Sequence, residues 1–241
     1  MVDPNRNKQI NQKLHRYYQE NNDEFVALHN KYFTHEKLPR INEFGIIDEE
    51  LYDADNGILV VGKETNGWDD EDFAAGCLFR TWLQDITQNG LPQHLQPDGK
   101  KPHITRHPLM WYNLELWVSY CDQIIQSGNM NIDYEHAMGE RKKGFVTGLG
   151  KCAFTNVNKG RGFEASRNEF WELVQHNDLP KQMIFEEINI IQPKIVILCG
   201  VACLFAGHVK NDSNRKYIEM PHPGARKKTN DLLEQMKKQF M

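Results

Sequence analysis

Three short polar clusters carry the side chains in this sequence that could do chemistry. Lys63-Glu64-Thr65-Asn66 follows the apolar run Ile58 to Gly62, and Asn156-Val157-Asn158-Lys159 follows Cys152 to Thr155. His222-Pro223-Gly224-Ala225-Arg226 follows the run Arg215 to Met220. Together they offer a carboxylate, several amides that each present a donor and an acceptor, an imidazole between two prolines, and lysines and arginines that suit a phosphate. Each cluster begins where an apolar, β-branched stretch stops, so the first question is what that stretch must be.

"ILVV", bounded by Asn56-Gly57 and Gly62, is too short for a helix and reads as a buried strand. "CAFTNVNK", Cys152 to Lys159, which ends in polar residues, "KIVILCG" and "RKYIEM" read as three more. Between them lie helical patterns. "DEDFAAGCLFRTWLQDI" places Phe73, Leu78, Trp82 and Ile86 at helical spacing, "LMWYNLELWVSYCDQII" is a buried helix with aromatic faces, and Ile184, Ile188 and Ile191 form a stripe that stops before Pro193. Leu232, Leu233, Met236 and Phe240 predict a last helix whose apolar face turns inward. In the first 33 residues, Ile10, Leu14 and Tyr17, then Phe25, Leu28 and Tyr32, predict two helices, and residues 1–45 read as an N-terminal helical extension. Gln88 to Pro108 is rich in proline and reads as a long loop.

Strands that alternate with helices pair in parallel and are covered on both faces. The expectation is an α/β fold, a three-layer α/β/α sandwich on a central four-stranded parallel sheet, with residues 1–241 forming one domain. Ligands of such sheets bind beyond the carboxyl ends of the strands, and all three polar clusters lie there.

Composition narrows the function. With 39% hydrophobic and 26% charged residues the chain reads as globular, and no apolar run approaches the roughly 18 residues that span a membrane. The start "MVDPNRNKQINQ" has no signal-peptide core, so the expected location is cytoplasmic. A net charge of −4 means that any binding of polyanions must rest on a local patch. Cysteines 77, 121, 152, 199 and 203 form no Cys-x-x-Cys pair and read as buried free thiols, and no metal site is expected. His103 and His107 are flanked by prolines and do not make a helical zinc pair, and "GLGK" at Gly148 to Lys151 lacks the full spacing of a phosphate loop.

Taken together, Gly62-Lys63-Glu64-Thr65, Phe154-Thr155-Asn156 and Met220-Pro221-His222-Pro223-Gly224 resemble, in order, motifs of the uracil-DNA glycosylase-like superfamily. "INIIQPKIVILCG" is similar to that family's helix-Pro-strand-Gly segment. The resemblance implies a DNA glycosylase that flips uracil or another damaged base out of single- or double-stranded DNA and hydrolyses its N-glycosidic bond, as in DNA repair. It implies catalytic roles for Glu64, which would orient water and stabilise the positive sugar, and for His222, which would donate to the departing base. Asn156 would read the base edge, with Phe79 and Asn66 lining the base site; by spacing alone Phe79 is a helix core position. Arg226 would stand at the wedge position, and with Lys227, Lys159 and Arg161 it would bind DNA. No cofactor is implied.

The sequence departs from the family in carrying Glu64 for Asp or Asn, Thr65 for proline, and Asn66-Gly67 where an aromatic would exclude the thymine methyl. Two other readings stand beside the glycosylase. One is a non-catalytic protein that keeps the fold to bind a nucleic acid or free nucleobase, and the other is a hydrolase of a small nucleoside-like substrate.

Overall fold

In the computed structural model, residues 1–34, 38, 40–63, 65–66, 79–90, 106–131, 146–162, 167–225 and 227–241 are described. The first helix, α1 (Pro4–Tyr32), starts with Asp3, whose carboxylate accepts the Arg6 N–H, and with a proline in its first turn. It is one continuous helix rather than the expected two. Its buried positions Asn7, Asn11, Leu14, Tyr18, Phe25 and His29 keep a single spacing of three, four and seven through the polar Asn21-Asn22 pair. Asn21 bonds back to the Tyr17 carbonyl, and the Asn22 side chain accepts from Ile41 N–H, so neither amide interrupts the helix. α1 is part of the core, which runs without a break from Ile10 to Met236.

The main sheet has five strands where four were expected. They are β1 (Gly45–Ile46), β2 (Ile58–Gly62), β4 (Cys152–Asn156), β6 (Ile195–Cys199) and β7 (Lys216–Met220), in the order β1-β4-β2-β6-β7. β2, β4, β6 and β7 are parallel, while β1 joins β4 antiparallel through Gly45↔Phe154 and Ile46↔Ala153. All fifteen positions of β2, β4 and β6 are buried, as strands covered on both faces require.

The connecting helices are α2 (Phe79–Asn89), α3 (Arg106–Ser127), α4 (Arg167–His176), α5 (Leu179–Ile191), α6 (Ala206–Asn211) and α7 (Thr229–Phe240). Consecutive strand residues face opposite ways, and β4 shows which helices cover which face. Phe154 meets Phe79, which in turn meets Trp111 of α3, whereas Thr155 donates a hydrogen bond to Glu187 of α5. Helices therefore cover both faces of the sheet. No helix among the described residues is long and apolar enough to cross a membrane.

β7 forms one edge of the sheet, and a side chain completes its hydrogen bonding. The Gln239 amide of α7 accepts the Glu219 N–H at 2.8 Å and donates to the Glu219 carbonyl at 3.0 Å, as a neighbouring strand would. Gln235 adds a second donor to the same carbonyl.

Candidate functional site

In chain order the four parallel strands stand second, first, third, fourth across the sheet. The connections diverge between β2 and β6, so the crevice of this topology opens at the carboxyl ends of those two strands. Gly62 ends β2, with Lys63 directly after it, and Gly200 directly follows β6. This is where the sequence clusters converge.

On one side stands Asn156, the register partner of Gly62 and 2% exposed. Its Oδ1 overhangs Gly62 so closely that a Cβ there would come within 2.2 Å of it, and within 3.4 Å of the Phe154 ring. Glycine at 62 is what admits the amide. Behind it Phe79 is buried among Phe44, Trp82, Trp111 and Phe154, with ring centroids 5.5 to 6.2 Å away. Phe79 is thus a core residue at the start of α2, next to the aromatic that underlies Asn156.

On the other side, the chain leaving β7 turns back over β6. Gly200 has φ +72°, and a Cβ on it would lie 3.2 to 3.5 Å from the His222 backbone and Cβ, so the turn rests on a bare glycine. Within that turn the Gly224 N–H donates to His222 Nδ1 at 3.1 Å, and Ala225 N–H donates to the His222 carbonyl. An Nδ1 that accepts a hydrogen bond leaves the ring proton on Nε2. His222 reaches solvent, yet partial desolvation, and after it the Lys63 ammonium, hold its pKa below the ordinary imidazole value. Both causes disfavour the charged ring, and the Gly224 contact at Nδ1 leaves Nε2–H as the remaining ring donor. β4, which Asn156 ends, and β6, over which the His222 turn folds at Gly200, lie two strand spacings apart, about 10 Å, on either side of β2.

Past the main sheet the β2 and β4 chains stay together. Val157 N–H donates to Gly62 O and Asn158 N–H to Lys63 O, and the pair continues as a two-stranded parallel ribbon of β3 (Thr65–Asn66) and β5 (Arg161–Gly162). Two residues, 63 and 64, separate β2 from β3, whereas four, 157 to 160, separate β4 from β5. The two extra residues form a bulge in which the Asn158 side chain accepts the Gly160 N–H.

That bulge removes Lys159 from the surface. The residue is 0% exposed, its Nζ lies 2.5 Å from both Glu187 Oε1 and Thr155 Oγ1, and the Tyr18 and Phe44 rings face it. The expectation that Lys159 belongs to a DNA-binding patch is corrected: its charge is spent inside the protein. Burial, opposed by Glu187, draws its pKa below that of ordinary lysine. Burial, and after it the same carboxylate, pushes the Tyr18 hydroxyl well above its ordinary value.

Of the other expected site residues, Lys227 is exposed beside the His222 turn. Asn66 and Arg161 lie on the β3 and β5 ribbon, where only the backbone is described. Glu64 and Arg226 lie outside the described residues, as do Cys77 and His103. Cys121, Cys152 and Cys199 are buried and their thiols are pushed up by burial, but Cys203 is exposed, contrary to the expectation of buried thiols throughout.

The "GLGK" run is a 3-10 turn, Thr147–Lys151, leading into β4. Glu115 of α3 fills it, accepting the Gly148 and Leu149 N–H groups at 2.9 Å each, so an internal carboxylate occupies what would be an anion cradle. A surface groove of about 610 Å³ between β7 and α7 is lined by Glu219, Asp231, Glu234, Gln235, Lys238 and Gln239, none of them a residue of the crevice.

One residue of the site was not foreseen from sequence. Asn113 of α3, 1% exposed, donates from Nδ2 to the Pro223 carbonyl at 2.6 Å and so braces the His222 turn. Its only sequence signal is an amide inside an otherwise apolar and aromatic helical stretch.

Compared with protein-family models, with curated proteins and with solved structures, the chain matches none.

Proposed function

We propose that the chain is a divergent member of the uracil-DNA glycosylase-like superfamily whose crevice binds a nucleobase and hydrolyses its N-glycosidic bond in DNA. The observation that carries this reading is the contact at His222: Gly224 N–H occupies Nδ1, leaving Nε2–H as donor, and desolvation with Lys63 nearby disfavours the charged ring. A neutral donor suits a leaving base that departs as an anion, because it stabilises the developing negative charge without first having to give up a proton. The strands beneath Asn156 and the His222 turn are two spacings apart, roughly 10 Å, a span that a planar heterocycle and its hydrogen bonds can fill. Lys63, between them at the end of β2, adds positive charge favourable to the anion. Glu64, one residue further, takes the role of positioning water.

The test is release of base from oligonucleotides containing uracil, hypoxanthine or a mismatch, read as strand cleavage at the abasic site. Release from at least one of them, lost in both Glu64→Ala and His222→Ala with the fold intact, is the expected result. Binding without release from any would overturn the catalytic reading.

The second reading, a fold kept for binding alone, is favoured by Lys159. Its withdrawal into an ion pair with Glu187 leaves a chain of net charge −4 with one fewer cation to meet a DNA backbone. A free base or nucleoside makes less demand on phosphate contacts, and in that reading isothermal titration with free uracil gives binding where duplex DNA gives none.

A further inference from the structure

The carbonyl that Asn113 grips and the N–H that His222 receives belong to one peptide unit. Asn113 Nδ2 donates to the Pro223 oxygen at 2.6 Å, and the Gly224 N–H of that same plane donates to His222 Nδ1 at 3.1 Å. A peptide plane is rigid, so fixing its oxygen fixes where its N–H points. Drawing on the oxygen also polarises the amide, which strengthens the N–H as a donor. Proline at 223 has no N–H and offers only its carbonyl, so the nitrogen of Asn113 must be the atom that faces it.

The brace is itself built in. Two residues along α3, the Glu115 carboxylate holds the Gly148 and Leu149 N–H groups, which ties α3 to the turn that starts β4. Asn113 is buried at 1% exposure, so its contact with the turn is shielded from water. The hydrogen bonds run from α3 through one peptide plane to an imidazole on the far side of the crevice from Asn156.

We propose that Asn113 is a positioning residue for His222: it holds the Pro223–Gly224 peptide so that Gly224 N–H occupies Nδ1, and so selects the tautomer that carries its proton on Nε2. The consequence for chemistry rests on the proposed nucleobase reaction, but the tautomer itself does not.

The experiment is a two-bond proton–nitrogen correlation spectrum of protein labelled with ¹⁵N in histidine, recorded at neutral pH. In the native chain Nδ1 of His222 should resonate as an unprotonated acceptor and Nε2 as a protonated nitrogen. In Asn113→Leu, which keeps the volume but has no donor, the two shifts should move towards each other as the Nδ1–H tautomer becomes populated, and Asn113→Ala serves where leucine does not fit. An unchanged tautomer in a folded variant would overturn the proposal. If neither variant folds, amide hydrogen exchange of the native chain decides: Gly224 N–H protected like the amides of β7 supports the clamp, and exchange at the rate of a free loop refutes it. Where base release is measurable, the variant should lower kcat by about 10- to 100-fold with KM nearly unchanged, the usual scale for a group acting through another. If no substrate releases a base yet the tautomer shifts as expected, the functional reading fails while the positioning role stands.

Discussion

Lys159 Nζ and Glu187 Oε1 lie 2.5 Å apart with neither side chain exposed to solvent. Thr155 bonds to both partners, so β4, the bulge after it and α5 meet at one charged point inside an apolar core. Removing either partner alone leaves an uncompensated buried charge, so Lys159→Met or Glu187→Leu should each lower the unfolding free energy by about 3–5 kcal/mol. The double substitution Lys159→Met, Glu187→Leu should recover most of that loss. Urea denaturation of the two single variants and the double variant measures both, and additive losses in the double variant would contradict the pairing.

Gly62 and Gly207 make a matched pair for the same substitution with opposite signs. Gly62→Ala drives a Cβ to within 2.2 Å of Asn156 Oδ1, so it should destabilise by about 1–3 kcal/mol and displace that amide. Gly207→Ala in α6 meets nothing within 4 Å and should stabilise by about 0.4–1 kcal/mol. Thermal melts rank the three proteins. Base or nucleoside binding, where found, should fall only in Gly62→Ala.

The pH dependence of His222 has a definite sign. Its pKa is lower in the folded protein than in the unfolded chain, by desolvation first and Lys63 second, so the unfolded chain takes up the proton sooner as pH falls. Its contribution to stability is therefore constant above the ordinary value near 6.5 and is lost as pH drops through and below it towards the depressed pKa. An NMR titration of the ring should give a midpoint below 6.5. Lys63→Met should raise that midpoint only part of the way, because desolvation is the larger cause.

Glu115 runs the other way. Burial raises its pKa despite the two N–H groups it accepts, so the folded protein holds the proton more tightly than the unfolded chain. Its contribution to stability is largest at low pH and declines as pH rises from the ordinary carboxyl range through the raised value. Glu115→Gln removes that slope and turns an N–H towards one of its backbone donors, at a cost of about 1–3 kcal/mol. Denaturation at one pH near the ordinary carboxyl value of 4.5 and one at neutrality separates the two effects.

The strands are legible because ILVV, CAFTNVNK and KIVILCG are short and carry apolar runs of the kind a sheet buried on both faces needs, although β4 stops at Asn156, before the polar end of CAFTNVNK. β1 is not, since two residues that pair antiparallel at an edge leave no period to detect. The groups Ile10, Leu14, Tyr17 and Phe25, Leu28, Tyr32 suggest two helices, but Tyr18 continues the spacing from Leu14 and carries α1 through as one. The convergence of Asn156 and His222 on one edge of the sheet follows from strand order, which alternation of elements suggests. The fate of Lys159 does not follow from sequence, because its partner Glu187 stands twenty-eight positions away on another helix. Asn113 was hidden for the same reason: its function is a single long-range bond to a carbonyl 110 residues later.

The Gln239 side chain that satisfies both backbone groups of Glu219 also decides how this sheet meets other molecules. An amide on a flexible stem takes the place of a neighbouring strand at Glu219, so an extended peptide can pair there only when the final turn of α7 releases it. Fraying of that turn, or its removal by proteolysis, would expose a backbone template to a second copy of the chain. Self-association of this protein should therefore track the helicity of its last residues rather than its overall stability.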